Sequence, residues 1–410
     1  MILRDYQQDI VNKSITILKA HKFVYLAMEV RTGKTATSLS TVSLLPVSNC
    51  LFITKKKAIS SIESDYKKLN LKFNLLVINY ESLHKLSHET KWDCIILDEA
   101  HSLGAFPKKS KRADQVRRLI LSHRPYVILL SGTPTPESYS QMYHQVCGIP
   151  LNPFEECKNF YHFARRYVDV RQRKINGQFI NDYSRGMKSI IDEMKPYTLS
   201  YTQQEAGFKV ETNEEICYVD ICPHLKTMIK DLTTKRVLEG KEEVILADTA
   251  VKLLSKTHQM YSGTVKFESG NSIVLCTEKA KFIKDKFKGK KIAIFYKFTA
   301  EWDALRETFG KNICNTLEEF TTTDKNIALQ IVSGREGISL KEAEALVYYN
   351  IDFSATSYWQ SRDRMTTKNR LYNKIYWIFA TKGIEKDIYN AVIKKKDYTL
   401  NHFKRDLLTL

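Results

Sequence analysis

Short runs of β-branched and aromatic residues alternate with longer polar-apolar stretches along this chain. That alternation sets the fold class, because it is how parallel strands and their crossover helices read in sequence. Five such runs come early, at 23–28, 50–54, 75–79, 94–98 and 126–131, and predict one doubly wound lobe. A second series follows at 292–298, 327–333, 345–350 and 374–380, so the architecture repeats. The stretch between them matches neither sheet, and its segments at 160–167 and 187–194 have a helical pattern. The expected division is therefore a first lobe over 1–150, helical linker segments over 151–270 and a second lobe over 271–410. Nothing in the sequence signals an inserted wedge hairpin, a winged domain or a short solenoid repeat.

A chain of 410 residues suits two or three lobes of ordinary size. Its 43% hydrophobic and 27% charged residues are the balance of a globular protein, not a disordered one. Lysine and arginine number 64 against 46 acidic residues, a formal charge of +18 that attracts polyanions, nucleic acid first among them. The basic clusters at 55–57, 108–112 and 394–396, and Arg171 with Arg173 and Lys174, suit phosphate contacts. The eight cysteines are scattered, and Cys217 and Cys222 lack zinc-knuckle spacing, so buried free thiols of a reducing compartment are expected. His84, His144 and His258 show no metal-ligand spacing and read as structural or surface residues. The first residues are charged and form no signal peptide, and no apolar run approaches the roughly 18 residues of a membrane helix. A soluble, cytoplasmic protein is expected.

The first strand runs directly into Ala27-Met-Glu-Val-Arg-Thr-Gly-Lys-Thr35. Backbone N–H groups at a helix start point at phosphate oxygens, Lys34 adds a cation, and the Thr35 hydroxyl can ligate magnesium. Met28 stands where the full phosphate-loop pattern has its first glycine. The fourth run ends in Asp98-Glu-Ala-His101, two carboxylates at the end of a buried strand, where open α/β sheets bind ligands. Burying adjacent acids is costly unless a metal or partner offsets it. Asp98 is then the magnesium partner and Glu99 the base for an attacking water. The fifth run ends in Ser131-Gly-Thr-Pro134, a tight turn at the same sheet edge.

With these motifs in this order, the chain resembles superfamily-two helicases, most closely their Swi/Snf-like branch, including the compact versions of bacterial viruses. Leu3-Arg-Asp-Tyr-Gln7 is similar to that family's opening motif, whose glutamine reads adenine. Ala27 to Thr35 resembles motif I, Asp98 to His101 motif II and Ser131 to Pro134 motif III. Ile53-Thr54 and Asn79-Tyr-Glu-Ser82 look like the strand ends that touch the nucleic-acid backbone. Later, Lys291 to Phe298 is similar to motif IV, Ser333 to Leu340 to motif V, and Tyr358-Trp-Gln-Ser-Arg-Asp-Arg364 to motif VI.

The resemblance implies two RecA-like lobes in tandem, with ATP and Mg2+ as cofactors. It places Gln7, Arg31, Thr32, Gly33, Lys34, Thr35 and Ala36 around the nucleotide, and Thr35 with Asp98 on the metal. Lys34, Asp98, Glu99 and Arg364 become catalytic, with Arg364 as the arginine finger that meets charge on the transferred phosphoryl group. His101, Ser131, Thr133, Gly337 and Gln360 couple ATP state to the track, and Thr54, Lys55, Tyr80, Lys297 and Ser333 touch nucleic acid. Two positions depart from the family pattern: Arg31 replaces the usual glycine, and Thr367 stands where a second arginine is usual, with Arg362 or Arg370 as its candidate substitute. Tyr296, Phe298, Trp302 and Trp359 could stack on bases, although core packing is the commoner role. The implied activity is that of an ATP-dependent DNA helicase or translocase. The alternatives are a duplex translocase or remodeller that leaves strands paired, an RNA helicase, and an inactive nucleic-acid clamp, against which the intact Lys34, Thr35, Asp98 and Glu99 argue.

Overall fold

The computed structural model describes residues 2–87, 90–175, 178–209, 211–240, 243–334, 338–367 and 370–396. The chain forms two compact units, one running to Gly207 and the other from Phe208 to Lys394.

The first unit contains β1 (Phe23–Met28), β2 (Asn49–Thr54), β3 (Asn74–Asn79), β4 (Cys94–Leu97), β5 (Tyr126–Leu130), a separate pair β6 (Arg171–Ile175) and β7 (Gln178–Asp182), and β8 (Thr198–Tyr201). Six of these strands make one sheet in the order β3-β2-β4-β5-β1-β8, with every pairing parallel. Side chains alternate across it. Phe23, Tyr25, Leu51, Ile53, Ile95 and Leu97 enter the core on one face, and Val24, Leu26, Phe52, Ile96 and Ile128 the core on the other. A sheet covered on both faces needs apolar residues at every position, which is why these strands read as unbroken apolar runs. Helix α1 (Asp5–His21) buries Ile10, Val11 and Leu18, and helix α2 (Lys34–Ser43) starts directly behind β1.

The second unit adds β9 (Glu211–Val219), β10 (Val237–Glu239), β11 (Val244–Leu246), β12 (Thr264–Lys266), β13 (Ser272–Val274), β14 (Ile292–Tyr296), β15 (Ile313–Cys314), β16 (Asn326–Gln330), β17 (Ala345–Tyr348) and β18 (Tyr372–Ala380). Its main sheet is again six-stranded and parallel, ordered β15-β16-β14-β17-β18-β9. Phe295, Leu346, Tyr348 and Trp377 fill one face, and Ile292, Ile294, Val347 and Ile378 the other. The antiparallel pairs β10–β11 and β12–β13 join the helices Pro223–Lys235 and Ala250–Tyr261 around Leu225, Ile229, Leu232 and Met260.

Three features differ from the sequence expectations. First, 151–270 is no helical linker. Phe160–Tyr167 is helical, but β8 completes the first sheet and β9 the second. Both are edge strands: β8 has four residues, and β9 alternates exposed and half-buried positions through Glu211, Asn213 and Glu215, so neither shows the apolar run of an inner strand. Second, β6 and β7 form an antiparallel ribbon outside both main sheets, where no inserted hairpin was expected. Third, Cys222 and Cys276 are not free thiols but a disulfide across 54 residues, with Cα atoms 6.3 Å apart. Of the six free cysteines, all but Cys147 are buried.

His258 lies buried in the second unit. Its Nε2 is 2.6 Å from Asn350 Oδ1, and Asn350 Nδ2 in turn donates to Glu301 Oε1 at 2.6 Å. Burial, reinforced by the charge of Lys297, pushes the imidazole down to about 3 from 6.5. Because the folded value is depressed, the unfolded chain binds the proton first; stability is complete above pH 6.5 and is lost as pH falls towards 3. Urea unfolding between pH 7 and 4 should show wild type losing up to about 1.4 kcal/mol per pH unit more than His258→Gln. Parallel pH profiles for the two proteins would refute this assignment.

Candidate active site

Parallel strands of one sheet end on the same side, so the first unit brings the carboxyl ends of β1, β2, β3, β4, β5 and β8 together. Beyond β1 the loop turns through Arg31 at φ 64° and Gly33 at φ 86°. The left-handed region suits glycine and strains an arginine, which explains why glycine is the usual residue at the position of Arg31. A Cβ on Gly33 would lie 2.1 Å from Gln7 Nε2, so the glutamine closes directly over the loop. Gln7 Nε2 donates to Thr32 O at 3.3 Å, and its Oε1 accepts from the Arg4 backbone at 2.9 Å. Lys34 Nζ curls back onto the carbonyls of Met28 and Glu29, at 3.0 and 3.2 Å. Thr35 and Ala36 open helix α2, where the unpaired N–H groups of a helix start lie.

At the end of β4, Asp98 is held from three sides. Its Oδ2 accepts from Thr54 Oγ1 at 2.7 Å, its Oδ1 from the Glu99 backbone at 3.0 Å, and its carbonyl from Tyr80 at 2.7 Å. Burial, then the neighbouring Glu99 charge, raises its carboxyl to about 6, while the Thr54 bond and the charge of Lys34 pull the other way. The charge of Lys34 thus acts on Asp98, and β4, β5 and β1 end side by side in the sheet. The donors fit Mg2+, which takes one or two protein oxygens and completes its shell with phosphate and water. Asp98 and the Thr35 hydroxyl could hold it, and its charge would offset the burial of Asp98. Among the described residues, no cluster of three or more His, Cys, Asp or Glu side chains offers a denser cage.

Glu99 itself adopts φ 49°, and its Oε2 lies 3.3 Å from His101 Nδ1. The same nitrogen is 3.0 Å from Ser131 Oγ, which accepts from Thr133 N at 3.1 Å. Gly132 presses on the loop after β1, where an added Cβ would be 3.3 Å from Met28 O. His101, Ser131 and Thr133 therefore form one connected group with Glu99.

Thr54 and Tyr80, expected at the nucleic-acid track, are both buried, and their hydroxyls donate to Asp98. They sit at or just past the ends of β2 and β3, and their side chains reach along the sheet edge to the acid instead of out to solvent. Lys55, the next residue after Thr54, is partly exposed. Sequence reasoning missed a brace on the loop. Gln203, just past β8, donates from its backbone to Glu29 Oε2 at 2.8 Å and from Nε2 to Val30 O at 3.0 Å. Tyr6 donates to Thr32 O at 2.9 Å and stacks on Tyr201 with centroids 4.4 Å apart. Tyr6 adjoins Gln7 and was within reach of motif reading; Gln203, 174 residues from Glu29, gave no local signal.

The remaining expected residues belong to the second unit. Lys297 pairs with Asp352 at 3.1 Å and lies 4.4 Å from the Phe353 ring centroid. Arg364 donates from Nε to Gln360 O at 2.7 Å, and Gln360 is buried. Of the two possible substitutes for the second arginine, Arg362 pairs with Glu214 at 3.1 Å, and Arg370 bonds the carbonyls of Lys341, Glu344 and Tyr372. Both therefore brace their own unit. Tyr296 and Trp302 stack on each other, and Phe298 packs edge-on against His258, so these aromatics serve the core. Gly337 lies outside the described residues, as do the side chains of Ser333 and Trp359.

Two parallel six-stranded sheets flanked by helices make this a protein of tandem RecA-like lobes, the first carrying the strand–loop–helix turn of a phosphate loop. The SNF2-related domain family matches residues 26–273, more than half of the chain, and the protein belongs to that family. It is 18% identical over 371 residues to the chromodomain-helicase-DNA-binding protein 3 homolog of Caenorhabditis elegans, a match covering 80% of this chain and 20% of the relative. It is 27% identical over 186 residues to the DNA excision repair protein ERCC-6-like of Danio rerio, covering 40% of this chain and 12% of the relative. The chain thus spans a fifth or less of the length of these relatives. Among solved structures, the Sulfolobus solfataricus SWI2/SNF2 ATPase core in complex with dsDNA aligns over 98% of this chain and 92% of that one, at 16% identity and a TM-score of 0.44. No helix among the described residues is long and apolar enough to cross a membrane.

Proposed function

We propose that this protein is an ATP-driven motor on DNA, a helicase or translocase of the compact Swi/Snf-like type found in bacterial viruses. The observation that carries the reading is the gathering, at the ends of the adjacent strands β4, β5 and β1, of the acids Asp98 and Glu99, of His101 between Glu99 and Ser131, and of the loop that bears Lys34. Lys34 and the N–H groups opening α2 bind the phosphates, and Gln7 sits over the loop where the base of ATP would lie. Asp98 and Thr35 hold Mg2+, which when bound neutralises charge on the phosphates. Glu99 orients and deprotonates the attacking water, and His101 with Ser131 passes the state of that carboxylate to the residues following β5. Arg364 is the proposed arginine finger, and Lys55 and Lys297 the proposed phosphate contacts. The names of the relatives, a chromodomain helicase and an excision repair protein, favour DNA over RNA as the track.

Phosphate release measured with no nucleic acid, single-stranded DNA, blunt duplex DNA, forked DNA and RNA of equal length tests the reading. DNA should stimulate turnover at least about tenfold over the nucleic-acid-free rate, and less so as salt rises, because backbone contacts release counterions. Turnover indifferent to every polymer would remove the motor; stimulation by RNA alone would reassign the track.

A further inference from the structure

Glu214 stands on the covered face of the edge strand β9, in line with the half-buried Thr212 and Ile216. A carboxylate so placed is costly unless partners replace the water it loses. Four side chains among the described residues do so. Tyr358 donates to Glu214 Oε1 at 2.6 Å and Arg362 pairs with the same oxygen at 3.1 Å, while Trp377 Nε1 and Tyr389 donate to Oε2 at 3.0 and 3.2 Å. Burial raises the phenols of Tyr358 and Tyr389 above their ordinary range, so both keep the proton they donate.

Two of these partners, Tyr358 and Arg362, lie one turn apart on the helix Ala355–Arg362 and share a face of it. The same helix is seated on the sheet by a hydrogen bond between Ser361 and Tyr348 of β17, and by the Tyr358 ring stacked on Trp377 with centroids 5.5 Å apart. It runs directly into the turn Asp363–Met365 that carries Arg364, whose Nε donates back to Gln360 O at 2.7 Å. The Arg364 carbonyl accepts from Leu340 N at 2.8 Å. Where the helix rests on the sheet therefore decides where this guanidinium lies.

We propose that Glu214 is a positioning residue for phosphoryl transfer, holding the helix Ala355–Arg362 so that Arg364 at its end is presented in the geometry a transition-state cation needs. It acts through Arg364, not on the reacting atoms. The inference rests on the reading of Arg364 as the arginine finger and deepens it, since it names what aims the finger. A finger that is displaced loses little substrate binding and much rate, because its charge is needed where negative charge develops. A shift of about 1 Å is enough to cost on the order of 100-fold.

The test is release of radiolabelled phosphate by the full-length protein with DNA present, read as kcat and KM for ATP. Glu214→Ala and Tyr358→Phe are each made in wild type and in an Arg364→Ala background. In wild type, Glu214→Ala should lower kcat roughly 10- to 100-fold and leave KM within about threefold. Tyr358→Phe removes one hydrogen bond to Glu214 and keeps the ring on Trp377; it should lower kcat roughly 3- to 10-fold, and it decides the matter if the alanine variant does not fold. In the Arg364→Ala background either change should cost less than about twofold more, because the residue through which Glu214 acts is already gone. Unchanged kcat in wild type overturns the proposal. Equal losses in both backgrounds overturn it too, since the carboxylate would then serve only the stability of its unit, and so does a raised KM at unchanged kcat. Full turnover by Arg364→Ala alone removes the finger and this inference with it, and wild-type protein without turnover removes the motor reading, two outcomes distinct from the rest.

Discussion

Glu99→Gln is expected to slow ATP turnover roughly 100- to 10,000-fold, the usual contribution of a positioned general base. Glutamine keeps the shape of the side chain and can still meet His101, now 3.3 Å from Glu99 Oε2, so the site should hold together while the base is lost. Lys34→Ala should remove turnover as completely by another route. Its ammonium now rests on two loop carbonyls, at 3.0 and 3.2 Å, and phosphate would take it from them. The two variants should part in nucleotide affinity: a fluorescent ATP analogue should bind Glu99→Gln nearly as wild type and Lys34→Ala much more weakly. Nucleic-acid binding should survive in both. Phosphate release within tenfold of wild type in either variant would reject the assignment.

The second large effect concerns stability. Lys279 Nζ lies 2.7 Å from Glu385 Oε1 with side chains 1% and 0% exposed, the most deeply buried ion pair among the described residues. Glu385 Oε1 also accepts from Ala380 N at 3.3 Å, so the carboxylate fixes the end of β18 to the helix that follows. Removing one partner strands the other charge in a low dielectric, at a cost of about 3–5 kcal/mol. Lys279→Met or Glu385→Leu alone should therefore lower the unfolding free energy of the second unit by that amount. The double variant should recover most of the loss, because neither charge then remains to be desolvated. Chemical denaturation of the four proteins measures the cycle, and additive losses would show that the two charges do not depend on each other.

Much of the fold was legible because its signals are local. The runs of β1 to β5 and of β14, β16, β17 and β18 are apolar on both faces, and each reads as a strand without knowledge of its neighbours. Edge strands carry no such mark. Polar β9 and four-residue β8 were folded into a supposed linker, and the division of the chain moved to Gly207 once their partners were known. The β6–β7 ribbon escaped notice for the same reason: Arg171 to Asp182 shows no apolar alternation strong enough to announce two strands.

In the candidate site, Lys34, Thr35, Asp98, Glu99 and Ser131 were each identifiable, since the chemistry demands particular residue types directly after strands. Thr54 and Tyr80 read from the sequence as strand-end residues, but their hydrogen bonds to Asp98 do not. Whether a strand-end side chain faces solvent or the next strand depends on strand order, and β2 lies beside β4.

Sequence by itself determined that this chain builds two parallel α/β lobes and puts a phosphate-type loop, an acid pair and a serine turn after successive strands. It could do so because apolar periodicity and motif chemistry are written within a few residues. Tertiary structure alone decided that Gln203 braces the loop, that Thr54 and Tyr80 serve Asp98, that Cys222 meets Cys276 and that Lys279 is buried against Glu385. Each of these joins residues from 18 to 174 positions apart, and such pairings follow from strand order and close packing, which no local stretch encodes.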